Sequence, residues 1–237
     1  MLRRTLLSDR TRITLLLAAM LASGASVSYA ASTAKTLPDP RDPKLKGMER
    51  LDTLIERIKL EQAKMKTLEA KFVQKQESSL LAEAQTSTGV LSYAAPDKVR
   101  WEYLTPNPIS VVIAGEKMTT WYHDLKRAET LKVGRYSAQV FKYLGASGSM
   151  KSLLDYFNAA LTTPGSAGKP YRLDLTPRYS RIAKRMKKMT LWIDEQRFLP
   201  TKVEVVEGDG DTIQYELLDI KVNGAIPADR FQLNLPP

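Results

Sequence analysis

The chain has 237 residues and carries 36 lysine or arginine residues against 26 aspartate or glutamate residues, a formal net charge of +10. It has no cysteine and one histidine, His123, which excludes disulfides, thiolate metal sites and cysteine nucleophiles and leaves one position for a histidine-based catalytic site. The positive charge favours acidic partners or anionic lipid head groups.

Residues 1–30 have the three parts of a signal peptide. Four arginines up to position 12 precede an apolar stretch at 13–22, and Ser28-Tyr29-Ala30 resembles a cleavage site. The apolar stretch is about half as long as a helix that crosses a bilayer. We therefore expect the chain to be exported and cleaved after Ala30.

Residues 31–47 are rich in Ser, Thr, Lys and Pro, with prolines at 38, 40 and 43, which predicts a flexible N-terminal segment. A single domain is expected over residues 48–237. It begins with apolar residues at helical spacing, Leu51, Leu54, Ile55, Ile58 and Met65, which predict an amphipathic helix.

From Leu68 onward the apolar period changes to two, which is typical of strands. The alternation predicts short strands within 68–72, 89–93, 99–103, 110–113, 117–123, 128–133, 171–176, 186–193, 202–206, 212–220 and 231–235. Asp209-Gly210 predicts the hairpin turn between the last two long strands and explains Glu207, Asp209 and Asp211 without a calcium site.

The alternation is interrupted between residues 137 and 161. Two apolar stripes there predict two short helices, one with Val140, Phe141 and Leu144 and one with Leu153, Leu154 and Phe157. Closely spaced strands indicate an antiparallel sheet, and accumulated twist curls a sheet of ten or eleven strands. The predicted fold is mainly β with helices (α+β): an incomplete curled antiparallel β-barrel lidded by about three α-helices, around an apolar cavity.

The residues expected to face the inside of this barrel are apolar or aromatic. Each fits ordinary core packing as well as cavity lining, but together the strand face and the helix stripes must meet around a filled core or a ligand. On the strands they are Phe72, Leu91, Tyr93, Val99, Trp101 and Tyr103, and on the lid Val140, Phe141, Leu144, Leu153, Leu154 and Phe157.

Three further motifs are weak. His123 lies at a strand end, where a surface or turn histidine is expected. Gly165-Ser166-Ala167-Gly168-Lys169 resembles the end of a phosphate-binding loop, but it lacks the first glycine and the metal-binding hydroxyl, so no nucleotide site is predicted. A dense basic run is either a solvated loop and strand edge or a contact with a phospholipid surface or an acidic protein, and no nucleic-acid motif accompanies it. Its members are Arg178, Arg181, Lys184, Arg185, Lys187 and Lys188.

The order of these parts resembles the LolA family of periplasmic outer-membrane lipoprotein carriers. Phe72-Val73-Gln74 is similar to the family's Phe-x-Gln signature, and residues 89–103 follow its pattern of a glycine, an apolar strand, a proline and an aromatic strand. Thr120-Trp121-Tyr122 and a closing Ile226-Pro227 segment are also similar, so the resemblance covers the chain from about Leu51.

The resemblance implies a monomeric periplasmic carrier that is not an enzyme and needs no cofactor. Its cavity would take the acyl chains of lipidated proteins released by an ATP-driven inner-membrane complex and pass them to an outer-membrane lipoprotein receptor. In well-studied members an arginine before the proline latches the lid, but here that position is Ala95, with Arg100 as a candidate replacement. A carrier of another lipid or glycolipid, and a periplasmic lipid or lipoprotein sensor, are the alternatives on the same fold.

Overall fold

In this computed structural model, residues 39–79, 83–132, 153–233 and 235 are described. The predicted signal peptide and the start of the linker lie outside them. The helices are α1 (Gly47–Lys64), α2 (Leu153–Tyr156) and α3 (Ser180–Ala183), with a 3-10 helix at Ala228–Phe231. The strands are β1 (Thr67–Glu77), β2 (Gln85–Ala94), β3 (Lys98–Thr105), β4 (Ile109–Ala114), β5 (Lys117–Tyr122), β6 (Arg127–Lys132), β7 (Phe157–Thr162), β8 (Tyr171–Pro177), β9 (Met186–Ile193), β10 (Pro200–Glu207) and β11 (Thr212–Val222).

The strands form one sheet of eleven, in the order β6-β5-β4-β3-β2-β1-β11-β10-β9-β8-β7. Every pairing is antiparallel. The two halves of the chain join where β1 pairs with β11, with Phe72 opposite Leu217 and Gln74 opposite Tyr215. The sheet is curled and not closed, which confirms the predicted fold class.

Side chains alternate between two faces of the sheet. We call the face that carries Leu91, Trp101 and Val111 the inner face; these three residues are opposite one another on β2, β3 and β4, and all are buried. The same face continues through the second half, with Leu173, Leu191 and Val203 in register. Because buried apolar residues face one another on neighbouring central strands, they form one continuous apolar surface.

Helix α1 packs its apolar side on the core. Leu51, Leu54, Ile55 and Ile58 are between 0% and 3% exposed and belong to the same buried cluster as the inner face. Each such side chain contributes about 1.5–3 kcal/mol when fully buried. The helix ends at Lys64, one residue before the buried Met65. None of the described helices has both the length and the apolar character that a membrane crossing requires.

The described part of the predicted linker contacts the domain. Pro40 is buried, the Arg41 guanidinium lies 2.6 Å from Asp39 and 3.3 Å from Glu195, and Arg50 donates to the carbonyl of Asp42. These contacts attach residues 39–46 to the start of α1. The division into residues 1–30, 31–47 and 48–237 stays a prediction.

The prediction of a helix containing Phe157 was wrong. Helix α2 ends at Tyr156, and Phe157 is the first residue of β7, which pairs with β8 along its whole length. Phe157, Ala159 and Leu161 pack against the core while the residues between them are exposed, so the period here is two. The other predicted stripe, from Val140 to Leu144, lies outside the described residues.

Two further segments differ from prediction. A strand was expected at 231–235, but the described residues there follow a 3-10 helix and do not pair with the sheet. Helix α3 occupies part of the basic run, where no helix was predicted, and its Ile182 packs against the core. The 3-10 helix packs against the distant strands β3 and β4, and α3 packs against its neighbours β8 and β9.

Gly89 sits where β2 passes closest to the inner-face aromatics. A Cβ there would collide with the Glu102 carbonyl oxygen and lie 2.6 Å from the Phe72 ring. We expect Gly89→Ala to lower the free energy of unfolding by about 3 kcal/mol, because the backbone of β3 must shift. Urea denaturation of the full chain measures it.

Gly224→Ala is the matched control, since a Cβ there has nothing within 4 Å. Equal unfolding midpoints for the two variants would show that the close packing at Gly89 is not required.

Candidate functional site

Four aromatic rings meet at the centre of the inner face. Phe72 on β1 lies 5.3 Å from Trp101 and 5.0 Å from Tyr103 on β3, between ring centroids. Tyr215 on β11 lies 5.6 Å from Trp101, edge to face. Such pairs add to the apolar burial of each ring, so the cluster fixes the register of β1, β3 and β11.

The polar atoms of this aromatic cluster differ in whether they form hydrogen bonds. The Tyr103 hydroxyl donates to Gln74 Oε1 at 2.7 Å, and burial raises the pKa of Tyr103 well above its ordinary value, so the hydroxyl stays protonated. In contrast, among the described residues Trp101 Nε1 is buried without a hydrogen-bond partner, and the buried Tyr215 hydroxyl interacts with the Tyr103 hydroxyl without forming a well-aligned hydrogen bond. Buried polar groups are nearly always paired, so the unpaired indole N–H of Trp101 requires an explanation.

The other predicted strand residues share this face. Leu91, Tyr93 and Val99 are buried on β2 and β3, with Tyr93 opposite Val99. On the predicted lid, Leu154 is half-buried against the core and Phe157 is buried. The side chains of Val140, Phe141, Leu144 and Leu153 lie outside the description. Whether these residues line a ligand cavity stays a prediction.

Residue spacing did not identify the second half of the inner face. Tyr215 lies on a strand that was predicted, but its contact with Trp101 depends on the pairing of β1 with β11, which are separated by almost the whole domain. Tyr171, Leu173 and Leu191 are fully or almost fully buried on the same face. The period-two pattern of their strands was the available signal.

Among the described residues, Arg100 contacts the C-terminal segment rather than a lid helix. It is half-buried on the outer face, since the buried Val99 and Trp101 on either side of it point inward. Its guanidinium pairs with Glu102 and donates to the carbonyl oxygens of Arg230 at 3.2 Å and Gln232 at 3.0 Å. Arg100 therefore clamps the C-terminal 3-10 helix to the outside of the sheet.

His123 belongs to the same outer-face network. Its Nε2 lies 2.8 Å from the Ser110 hydroxyl, which donates to Glu102 Oε1 at 2.7 Å. A serine nucleophile must reach its substrate, but Ser110 is 0% exposed. The arrangement is a structural hydrogen-bond network with a surface histidine at its edge, as predicted for His123.

The basic run falls into two parts. Five of its six residues are exposed, around α3 and the start of β9, beside Tyr179, which is 54% exposed. The sixth, Lys188, lies 2.9 Å from Asp174. Partial burial of Asp174 opposes its ionisation, but hydrogen bonds from Lys188, Thr190 and Arg172 outweigh burial and hold its pKa below the ordinary value.

The acidic residues between β10 and β11 form the predicted hairpin turn. Glu207 pairs with Asp211 through its backbone N–H at 2.7 Å, and Gly210 donates to the Glu207 carbonyl. Carboxylate oxygens of Glu207, Asp209 and Asp211 lie within 4.8 Å of one another. The turn geometry accounts for this proximity.

Comparison with known proteins supports the fold and the family. The family model "Outer membrane lipoprotein carrier protein LolA" matches residues 63–234. An outer-membrane lipoprotein carrier protein of Dechloromonas aromatica is 27% identical over 174 residues, 72% of this chain and 78% of that protein. One of Pseudomonas aeruginosa is 24% identical over 226 residues, 94% of each chain.

Among solved structures, the MucA/MucB complex of Pseudomonas aeruginosa is similar with a TM-score of 0.50 and 16% identity, over 76% of this chain and 59% of that chain. That likeness is one of fold. The family match spans most of the domain, including the aromatic cluster and the C-terminal clamp. The chain therefore belongs to the LolA family of outer membrane lipoprotein carrier proteins.

Proposed function

We propose that the protein is a periplasmic carrier that binds the acyl chains of lipoproteins released from the inner membrane and delivers them to the outer membrane. The observation that carries the proposal is a buried donor without an acceptor among the described residues, Trp101 Nε1, on a mainly apolar face, with the poorly aligned Tyr215 hydroxyl beside it. Each unpaired buried donor costs about 1–3 kcal/mol. The ester and amide carbonyls beside a lipoprotein's acyl chains would supply the missing acceptors.

The energetics suit a carrier without catalytic groups. Removing a sixteen-carbon chain from water gains about 12 kcal/mol in any dry container, so an apolar lining is enough to hold it. Extraction from a membrane gains little, because the chain is already dry there. Loading therefore requires a partner that supplies energy, such as an ATP-driven inner-membrane complex, and unloading requires a receptor at the outer membrane.

Binding requires the inner face to open. In the described structure that face is buried, and the apolar side of α1 belongs to its core. A bound chain would displace part of this cover and take over its contacts. The proposed lining comprises the six strand residues Phe72, Leu91, Tyr93, Val99, Trp101 and Tyr103, with Leu154, Phe157 and the undescribed Val140, Phe141, Leu144 and Leu153 on the lid.

The first test asks whether the protein takes lipoprotein from a membrane. The full chain is expressed, purified from the periplasm without detergent and mixed with spheroplasts that carry labelled lipoproteins. We expect label in the soluble fraction as a one-to-one complex, because the chains leave the membrane only if this protein shields them. Absence of soluble label would remove the carrier proposal, and mass spectrometry of the purified protein would show whether it holds another lipid.

Tyr215→Phe tests the role of this buried hydroxyl. We expect the variant to lose little stability, since the hydroxyl forms no well-aligned hydrogen bond among the described residues, and to hold lipoprotein roughly 3- to 10-fold more weakly. Competition for labelled lipoprotein measures the affinity. Tyr179→Phe, at an exposed tyrosine, is the control. Unchanged affinity in Tyr215→Phe would show that this hydroxyl does not meet the ligand.

We propose further that the basic surface, formed by Arg178, Arg181, Lys184, Arg185 and Lys187, contacts the anionic face of a phospholipid membrane. These five residues are exposed, whereas Lys188 is paired with Asp174. The exposed ring of Tyr179 lies between Arg178 and α3, and an aromatic ring beside cations suits a lipid head-group layer.

Charge reversal tests the basic surface. The test uses the double variant Arg181→Glu, Lys184→Glu and vesicles in which about a fifth of the lipid is anionic. We expect the variant to bind them more than tenfold more weakly at low salt, since each basic residue near such a surface contributes about 1 kcal/mol. Vesicle flotation measures it. Lys117→Glu with Lys132→Glu, on paired strands at the other side of the sheet, changes the net charge equally. Equal losses in both variants would mean that only net charge matters.

A further inference from the structure

A polar cleft lies apart from the aromatic cluster, near the start of α1. Its volume is about 210 Å³, and its walls come from the segment before α1, from α1 itself, from the β7–β8 loop and from the turn after β9. The lining residues are Arg41, Arg50, Thr163, Pro164, Gly165, Ser166, Ala167 and Glu195. The loop is the one whose Gly165–Lys169 sequence resembles the end of a phosphate-binding loop.

Arg50 is the main donor at this cleft. One of its terminal nitrogens donates to the carbonyl oxygens of Leu45 at 2.8 Å and Asp42 at 3.1 Å, which fixes the guanidinium. Its Nε is buried without a hydrogen-bond partner. A fixed guanidinium whose observed partners are backbone carbonyls keeps its full positive charge for a ligand.

Two more buried donors, on Tyr171 and Arg57, belong to residues that do not themselves line the cleft. Tyr171, at the end of the β7–β8 loop, is fully buried, and its hydroxyl has no partner among the described residues. Burial raises the pKa of Tyr171 to about 12, and the charges of Asp39, Arg41, Glu195 and Arg50 act on it. The Tyr171 ring stacks on Phe198, which lies 4.6 Å below the Arg57 guanidinium, and Arg57 Nε is also buried without a partner.

The acidic groups nearby are already paired. Arg41 binds both Asp39 and Glu195, and Glu195 also accepts the backbone N–H of Gly168 at 2.5 Å. Glu61, 3.7 Å from Arg57, lies 2.9 Å from Lys64. Among the described residues, Arg41 is therefore paired with Asp39 and Glu195, and Arg57 with Glu61, which leaves Arg50 as the arginine in excess.

We propose that this cleft binds a phosphate group, held by Arg50 with the Tyr171 hydroxyl and Arg57 behind it. A phosphate presents several strong acceptor oxygens, and guanidinium groups such as that of Arg50 bind it through charge-assisted hydrogen bonds. The cleft has room for a phosphate with part of its substituent. This site is separate from the acyl-chain face.

The phosphate could belong to a phospholipid head group or be free in solution, and two probes distinguish these sources. Calorimetric titration of the full chain, purified from the periplasm, is done with inorganic phosphate and with glycerophosphoethanolamine, a head group without acyl chains. We expect saturable binding of at least one probe. Tighter binding of glycerophosphoethanolamine would assign the site to a lipid head group, and tighter binding of inorganic phosphate would assign it to the free ion.

Variants locate the site. We expect Arg50→Gln to weaken binding about tenfold or more, and Tyr171→Phe to weaken it severalfold without loss of thermal stability, because the hydroxyl is unpaired in the free protein. Arg197→Gln, an exposed arginine on the turn after β9, is the control for lost charge. No saturable binding of either probe, or equal effects of Arg50→Gln and Arg197→Gln, would overturn the proposal. Lipoprotein uptake from spheroplasts, measured on the same Arg50→Gln protein, reports on the carrier function separately.

Discussion

Coverage of the inner face is the constraint on which the rest of this structure depends. The register aligns apolar side chains on all the central strands, from Met118 on β5 to Leu173 on β8. Such a surface is stable in water only if something covers it. Helix α1 supplies part of that cover through residues such as Leu54 and Ile58, and the tight approach at Gly89 brings the Phe72 ring against the sheet. A lipid carrier uses the same requirement, since its ligand replaces the cover.

The outer face of the sheet is held by polar contacts. Its central strands carry Arg100, Glu102 and Ser110, whose hydrogen bonds are completed by the C-terminal 3-10 helix. Removing any one of these buried partners would leave the others unpaired, at a cost of about 1–3 kcal/mol each. The network therefore ties the chain end to β3 and β4 and stabilises the strands that carry Trp101.

Short-range patterns predicted most of the sheet, because a strand with one buried face alternates residue by residue. The pattern failed at β7, where Leu153, Leu154 and Phe157 fit helical spacing as well as the start of a strand. It could not find Tyr215, because its partner Trp101 is brought close only by the β1–β11 pairing. The orientation of Arg100, however, was already fixed by parity: if Trp101 points inward, its neighbour points outward.

Helix α1 connects the two proposed binding sites. Its Leu54 and Ile58 side chains lie in the core under the inner face, while Arg50, at the edge of the same apolar stripe, lines the polar cleft. If an acyl chain displaces α1 from the inner face, Arg50 moves with the helix, and the cleft loses its main donor. A phosphate in the cleft would then stabilise the covered state and oppose lipid binding. By linkage, bound lipid would weaken phosphate binding by the same factor, so the two affinities measured together report whether α1 is the element that moves.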